Sequence, residues 1–307
     1  MKTLSKNTYE GIQGIKLFDS LKKGPTLGIG ACTHGGETVG LEIMEFLERT
    51  VGIDKILTRG KLFFILINIP AYEHYLKTQD VMNSRFIEEN LNRSCSEKNI
   101  KKSNSQEIKR IREIYPLLAS LDIFLDIHST YTPSESITIF TQKSYKLFHA
   151  TLNTNVELID LTKKQVGKPV IDITERNGGI GIGIETGCQF DKEGFKTGVD
   201  NILRVLKKLK MINGVGDLKQ YILNQTPKKS IKITKTIIIK NGKFKSAKNF
   251  KHGDKVKKGD LIAFDGEQNI FTNKDCIILM PTPKKLQKKI IGEEFCFLGE
   301  NLRPVSS

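Results

Sequence analysis

Thr26-Leu27-Gly28-Ile29-Gly30-Ala31-Cys32-Thr33-His34-Gly35-Gly36-Glu37-Thr38 contains a complete strand-to-helix transition. The apolar run Thr26–Cys32 predicts a buried strand, and the periodic segment Thr38–Glu48 that follows predicts an amphipathic helix. Between them His34 and Glu37 stand three residues apart, close enough to point into one pocket. Imidazole nitrogen and carboxylate oxygen are both suitable zinc ligands. Gly35 and Gly36 permit a tight turn and leave room for a substrate. The same residue types would also serve a turn with a polar cap. Gly28-x-Gly30 lacks the third glycine of a dinucleotide-binding loop, so that reading is set aside.

Working outward, further strand-like runs occur at Leu62–Ile69, Ile123–His128, Ser136–Phe140, Val170–Ile173 and Ile180–Glu185. Helical periodicity marks Gln106–Ser120 and Phe195–Met211. Alternating strands and helices predict an α/β fold, with helices on both faces of a central sheet and functional groups at strand ends. The pattern changes near Asn213-Gly214-Val215-Gly216. Beyond it, Ile231–Ile239, Leu261–Phe264 and Cys276–Met280 are separated by turn signals at Asn241-Gly242, His252-Gly253-Asp254 and Asp265-Gly266. The expected organisation is an α/β domain over 1–214 and a small β domain over 215–307.

Composition narrows the function classes. The 307 residues, 38% hydrophobic and 27% charged, are those of an ordinary globular chain. The longest apolar run, Leu62–Pro70, is interrupted by Asn68 and falls well short of the ~20 residues a membrane-spanning helix needs. Met1–Lys23 has no signal-peptide core, and the five cysteines are scattered without a C-x-x-C pair, so a reducing cytoplasm is expected. Val215–Ser307 holds 19 Lys and Arg against 9 Asp and Glu, which places +10 of the net +15 there. Lysine supplies 40 of the 49 basic residues, and none of the basic segments is interleaved with stacking aromatics. A solvated face is therefore expected rather than a nucleic-acid surface, and no membrane partner is expected. Oligomeric state is left open, a homo-oligomer included.

Three more segments can carry chemistry. His128, in Asp126-Ile127-His128-Ser129-Thr130, ends an apolar strand. A lone histidine there is often structural, but His74, His149 and His252 lie in helix-like or basic contexts, so His128 is the best partner for His34. Three protein ligands would leave a fourth position for water, and Asp126 is placed to support His128 from the same strand face. Arg85 and Arg93, two of nine arginines, lie in Asn83–Arg93, where they can grip a carboxylate or an oxyanion, or else pair with Glu88 and Glu89 at the surface. Glu185 ends a glycine-flanked buried strand, where an acid is costly unless paired or catalytic. It can serve as a general base or cap the following turn.

The series His34-x-x-Glu37, Arg85, Asn92-Arg93, His128, Glu185 resembles the succinylglutamate desuccinylase and aspartoacylase family, a branch of the zinc-carboxypeptidase superfamily. The likeness runs from about Thr26 to Asp191 and extends to Phe264-Asp265-Gly266 and Asp275-Cys276 in the tail. It implies a carboxypeptidase-like mixed sheet, a C-terminal β domain that shapes the mouth of the site, and one zinc per chain. By resemblance His34, Glu37 and His128 are the metal ligands, Glu185 the general base and Arg85 the group that polarises the scissile carbonyl. Asn92 and Arg93 match the pair that holds a substrate carboxylate, and Arg176 lies near a further carboxylate-binding arginine. The implied reaction is hydrolysis of an N-acyl amino acid at its amide bond. The alternatives are a carboxypeptidase acting on small peptides and a basic binding protein without activity. Two departures from the family pattern stand out: Asn90 replaces the acid usual two positions before the Asn-Arg pair, and no tyrosine follows Met280-Pro281.

Overall fold

The computed structural model describes residues 4–131, 133–213, 216–226, 228–282, 284–287 and 291–302. Two compact units emerge: Met1–Glu157 with Gly167–Lys228, and Leu158–Val166 with Lys229–Ser307. Gly214 and Val215, where the sequence pattern changes, lie outside the described residues.

In the first unit the main elements in chain order are β1 (Ile15–Asp19), β2 (Thr26–Ala31), α1 (Val39–Arg49), β3 (Lys61–Leu66), α2 (Ile69–Thr78), α3 (Gln106–Ser120), β4 (Ile123–Thr130), β5 (Ile137–Phe140), α4 (Ile171–Arg176), β6 (Ile180–Cys188) and α5 (Lys192–Lys208). The strand order is β5-β6-β4-β2-β3-β1. The four central strands β6, β4, β2 and β3 are parallel, and β5 and β1 are antiparallel to their neighbours. Parallel central strands are buried on both faces, which is why β2, β3 and β4 read as nearly unbroken apolar runs.

Helices cover both faces. Ala31 and Ile127 face α1, where a Cβ on Gly40 would stand 2.7 Å from the Ala31 Cβ. Phe124 turns the other way, into a core with Ile111, Ile114 and Leu118 of α3 and Ile171 and Ile173 of α4. Gly28 and Gly30 now have a packing reason: a Cβ on Gly30 would lie 2.6 Å from the Phe124 ring, and one on Gly28 2.4 Å from Leu121.

Val170–Ile173 is not the strand its composition suggested. It opens α4, directly after Pro169, and Val170, Ile171 and Ile173 are buried. Four residues, Val170-Ile171-Asp172-Ile173, are too few to carry a period that separates a strand from a short buried helix.

The second unit is built mainly of strands, with short helices at Leu161–Lys164 and Lys284–Gln287. Its larger sheet orders Lys255–Val256, Cys276–Leu279, Glu294–Asn301 and Lys229–Ile238, joined by antiparallel pairing. Phe244–Ser246, Leu261–Asp265 and Gln268–Phe271 form a second sheet. Its Asp265-Gly266 turn closes with Gly266 at φ +67°, a conformation that suits glycine. Along Lys229–Ile238, Ile231, Ile233 and Ile237 are buried while Lys229, Lys232 and Lys235 are exposed, so these lysines are the wet face of a half-buried strand.

Candidate metal centre

The parallel sheet sets the positions. Strand β2 ends at Ala31, and the chain turns through Cys32, which adopts a left-handed φ of +55°. Gly35 passes so close to α2 that a Cβ there would lie 2.2 Å from the Ala71 carbonyl carbon. The turn closes with Glu37 N donating to His34 O at 3.0 Å, and α1 begins two residues later. On the neighbouring strands His128 and Glu185 are direct partners in register, followed by a bulge. Thr186 Oγ1 donates to His128 O at 3.2 Å and ties the two strand ends together.

His34, Glu37 and His128 converge, their ligand atoms all within 4.8 Å of one another. His34 Nδ1 lies 2.7 Å from Glu37 Oε1, and His128 Nδ1 lies 2.8 Å from Glu37 Oε2. One carboxylate thus serves both rings, and all three side chains are buried. The outer ring nitrogens also have partners. His128 Nε2 stands 2.9 Å from Asp126 Oδ2, and the Asp126 carboxylate accepts from Thr33 Oγ1 at 2.8 Å. His34 Nε2 faces Asn90 Oδ1 at 3.2 Å and Arg85 Nη2 at 3.1 Å. Arg85 Nη1 donates to Glu37 Oε1 at 2.9 Å. Asn92 Nδ2 is 3.5 Å from His128 Nε2. Two imidazoles and a carboxylate, oriented from outside by Asp126 and Asn90, form a donor set that suits a divalent transition metal.

The family model for the succinylglutamate desuccinylase/aspartoacylase catalytic domain matches residues 23–190, more than half of the chain. The chain belongs to this family. All eight residues singled out as candidates lie inside the matched segment. Among solved structures, the succinylglutamate desuccinylase of Chromobacterium violaceum is similar at TM-score 0.68 and 17% identity, over 96% of this chain and 90% of that one. A succinylglutamate desuccinylase/aspartoacylase of Rhodobacter sphaeroides gives 0.63 and 17%, over 94% and 89%. The product-bound ectoine utilization protein of Ruegeria pomeroyi gives 0.64 and 16%, over 94% and 88%. Identities this low establish a shared fold. No curated protein is a detectable sequence relative.

Within this desuccinylase/aspartoacylase fold the electrostatics are uneven. Burial, with help from the Arg85 charge, lowers the His34 pKa to about 4, so that ring is neutral at pH 7. Burial works against a charge on His128, but Asp126 and then Glu37 hold its pKa well above the ordinary value. Burial also opposes ionisation of Glu37, and His34, His128 and Arg85 outweigh it. Glu185 is raised to about 7, mainly by burial. Its carboxylate accepts no hydrogen bond from a described residue.

The remaining candidates sit further out. Arg93 Nη1 donates to the carbonyl of Asn92, and its side chain lines a polar cavity with Glu89, Ser94, Lys98, Asn99 and Lys102. Arg176 is not brought to the cluster: Nη1 bonds Asp172 at 2.7 Å and Cys95 O at 2.9 Å, and the guanidinium stacks on Tyr115. Glu88 and Glu89 do not form the surface pairs that the loop composition offered. Glu88 Oε1 accepts from Gln106 N, and Glu89 accepts from Asn99 and Ser103. Neither acid therefore stands in for the one replaced by Asn90. Sequence reading missed Thr33, whose hydroxyl donates to the Asp126 carboxylate, although it adjoins His34.

Proposed function

We propose that this family member is a zinc-dependent hydrolase that cleaves the amide bond of an N-acyl amino acid. The observation that carries the reading is the His34-Glu37-His128 cluster with Glu185 in register beside His128. Zinc held by His34, Glu37 and His128 would supply Lewis acidity and make water a better nucleophile at neutral pH. Glu185 takes the proton from water as it attacks the amide carbonyl, then delivers a proton to the departing nitrogen. Without metal, burial raises the Glu185 carboxyl to about 7; the charge of a bound zinc would draw it back towards the carboxylate form that accepts the proton. Arg85, whose two terminal nitrogens already reach Glu37 and His34, turns to the carbonyl oxygen as negative charge builds on it. Asn92 and Arg93 orient the substrate through a carboxylate. Arg176, bonded to Asp172 and to the Cys95 carbonyl, takes no part in this chemistry.

The test is release of free amino acid from N-acetyl, N-succinyl and longer N-acyl amino acids by the zinc-loaded protein, with dipeptides run alongside. The expected result is cleavage of at least one N-acyl class in preference to dipeptides. Cleavage of dipeptides alone would assign a carboxypeptidase. Inertness towards every compound would favour the non-enzymatic reading.

A further inference from the structure

We propose that Glu107 is a positioning residue for this site: its carboxylate fixes the backbone between Arg85 and Asn90, so that both side chains reach the His34-Glu37 turn. In part the inference rests on the reading of that turn as metal-binding. An acid in the first turn of a helix ordinarily faces water and the exposed amides of its own helix. Glu107 does neither. It is fully buried, and Ser105 caps α3 by accepting from Ile108 N at 3.2 Å. Its oxygens collect the N–H groups of three consecutive loop residues instead: Ile87 at 2.6 Å, Glu88 at 3.3 Å and Glu89 at 3.4 Å. A buried carboxylate is stable only when its oxygens are satisfied, and the three amides need an acceptor just as much. Glu88 returns the favour, accepting from Gln106 N at 3.0 Å.

The residues on either side of this nest are the ones that meet the cluster. Arg85 reaches Glu37 and His34, and its carbonyl accepts from Gly35 N at 3.3 Å. Asn90 Oδ1 accepts from Asn92 N at 3.0 Å and faces His34 Nε2 at 3.2 Å. A rigid helix end thereby sets both contacts across the ligand turn.

The experiment compares full-length wild type with Glu107→Gln, Asn90→Ala and the double variant. Hydrogen exchange is followed over residues 84–91, and Zn²⁺ affinity is measured by competition with a chelator. For Glu107→Gln we expect exchange at Ile87–Glu89 at least ~10-fold faster with β4 and β6 still protected, and Zn²⁺ affinity about 10-fold weaker, the low end for outer partners of metal ligands. Because Glu107 acts in part through Asn90, the double variant should lose less affinity than the sum of the two single losses. Unchanged exchange at Ile87–Glu89, or losses that simply add, would overturn the proposal. If Glu107→Gln does not fold, Glu107→Asp takes its place with the same expected directions. A wild type that binds no Zn²⁺ would refute the metal reading, and the exchange data alone would then decide on Glu107.

Discussion

Burial raises the Glu185 carboxyl to about 7, against the opposing pull of His128 and Arg85. As general base it should be indispensable: Glu185→Gln is expected to keep its zinc and its fold while turnover falls at least ~10²-fold. Steady-state kinetics beside metal analysis check this. The same shift has a stability consequence. The folded pKa is raised above the ordinary 4.5, so the contribution of the protonated form is complete below pH 4.5 and is lost as pH rises through about 7. In chelator-treated protein, Glu185→Gln should therefore gain stability over the parent at pH 8, by up to roughly 3 kcal/mol, and little at pH 4.5. Denaturant unfolding at the two pH values reads the difference. The two arginines should separate kinetically: Arg85→Ala should mainly lower kcat, whereas Arg93→Ala should mainly raise KM for carboxylate-bearing substrates. At this scale His34 and Glu37 were legible because one strand-turn-helix segment carries both. The Thr33–Asp126 bond joins residues 93 apart, and Glu107 serves backbone amides 18 to 20 residues away, so neither leaves a local pattern.

Elements turn these residues into a site through close backbone approach. Gly35 is the case at the ligand turn: a Cβ there would lie 2.2 Å from the Ala71 carbonyl carbon, and the backbone of α2 cannot rotate aside. Gly35→Ala is expected to shift the His34-Glu37 turn, cost about 1–3 kcal/mol and lower zinc content. Gly242→Ala, with only one atom within 4 Å of the new Cβ, should stay within about 0.5 kcal/mol of the parent. Thermal unfolding and metal analysis of the pair check both expectations. Most elements of the central sheet could be read from their apolar runs, since parallel strands buried on both faces leave that imprint. Val170–Ile173 could not, because its burial comes from packing on α3 rather than from a strand's alternation.

For the whole molecule the net charge of +15 is the feature most open to misreading. Lysines on the outer face of Lys229–Ile238 alternate with buried isoleucines, as solvation of a half-buried strand requires. Among the described residues no helix is long and apolar enough to cross a membrane. Binding to duplex or single-stranded nucleic acid should therefore be weak and vanish near physiological salt, with a log–log slope per neutralised phosphate of about −0.9 for duplex and about −0.7 for single strands. Filter binding at two salt concentrations checks this, and tight binding that persists would point to an anionic partner. The central claim is that His34, Glu37 and His128, drawn from two strand ends, together hold one zinc. Metal analysis of the purified full-length chain and of His128→Ala tests it most directly. The account predicts one zinc per wild-type chain and little in the variant; equal zinc in the two proteins would contradict it.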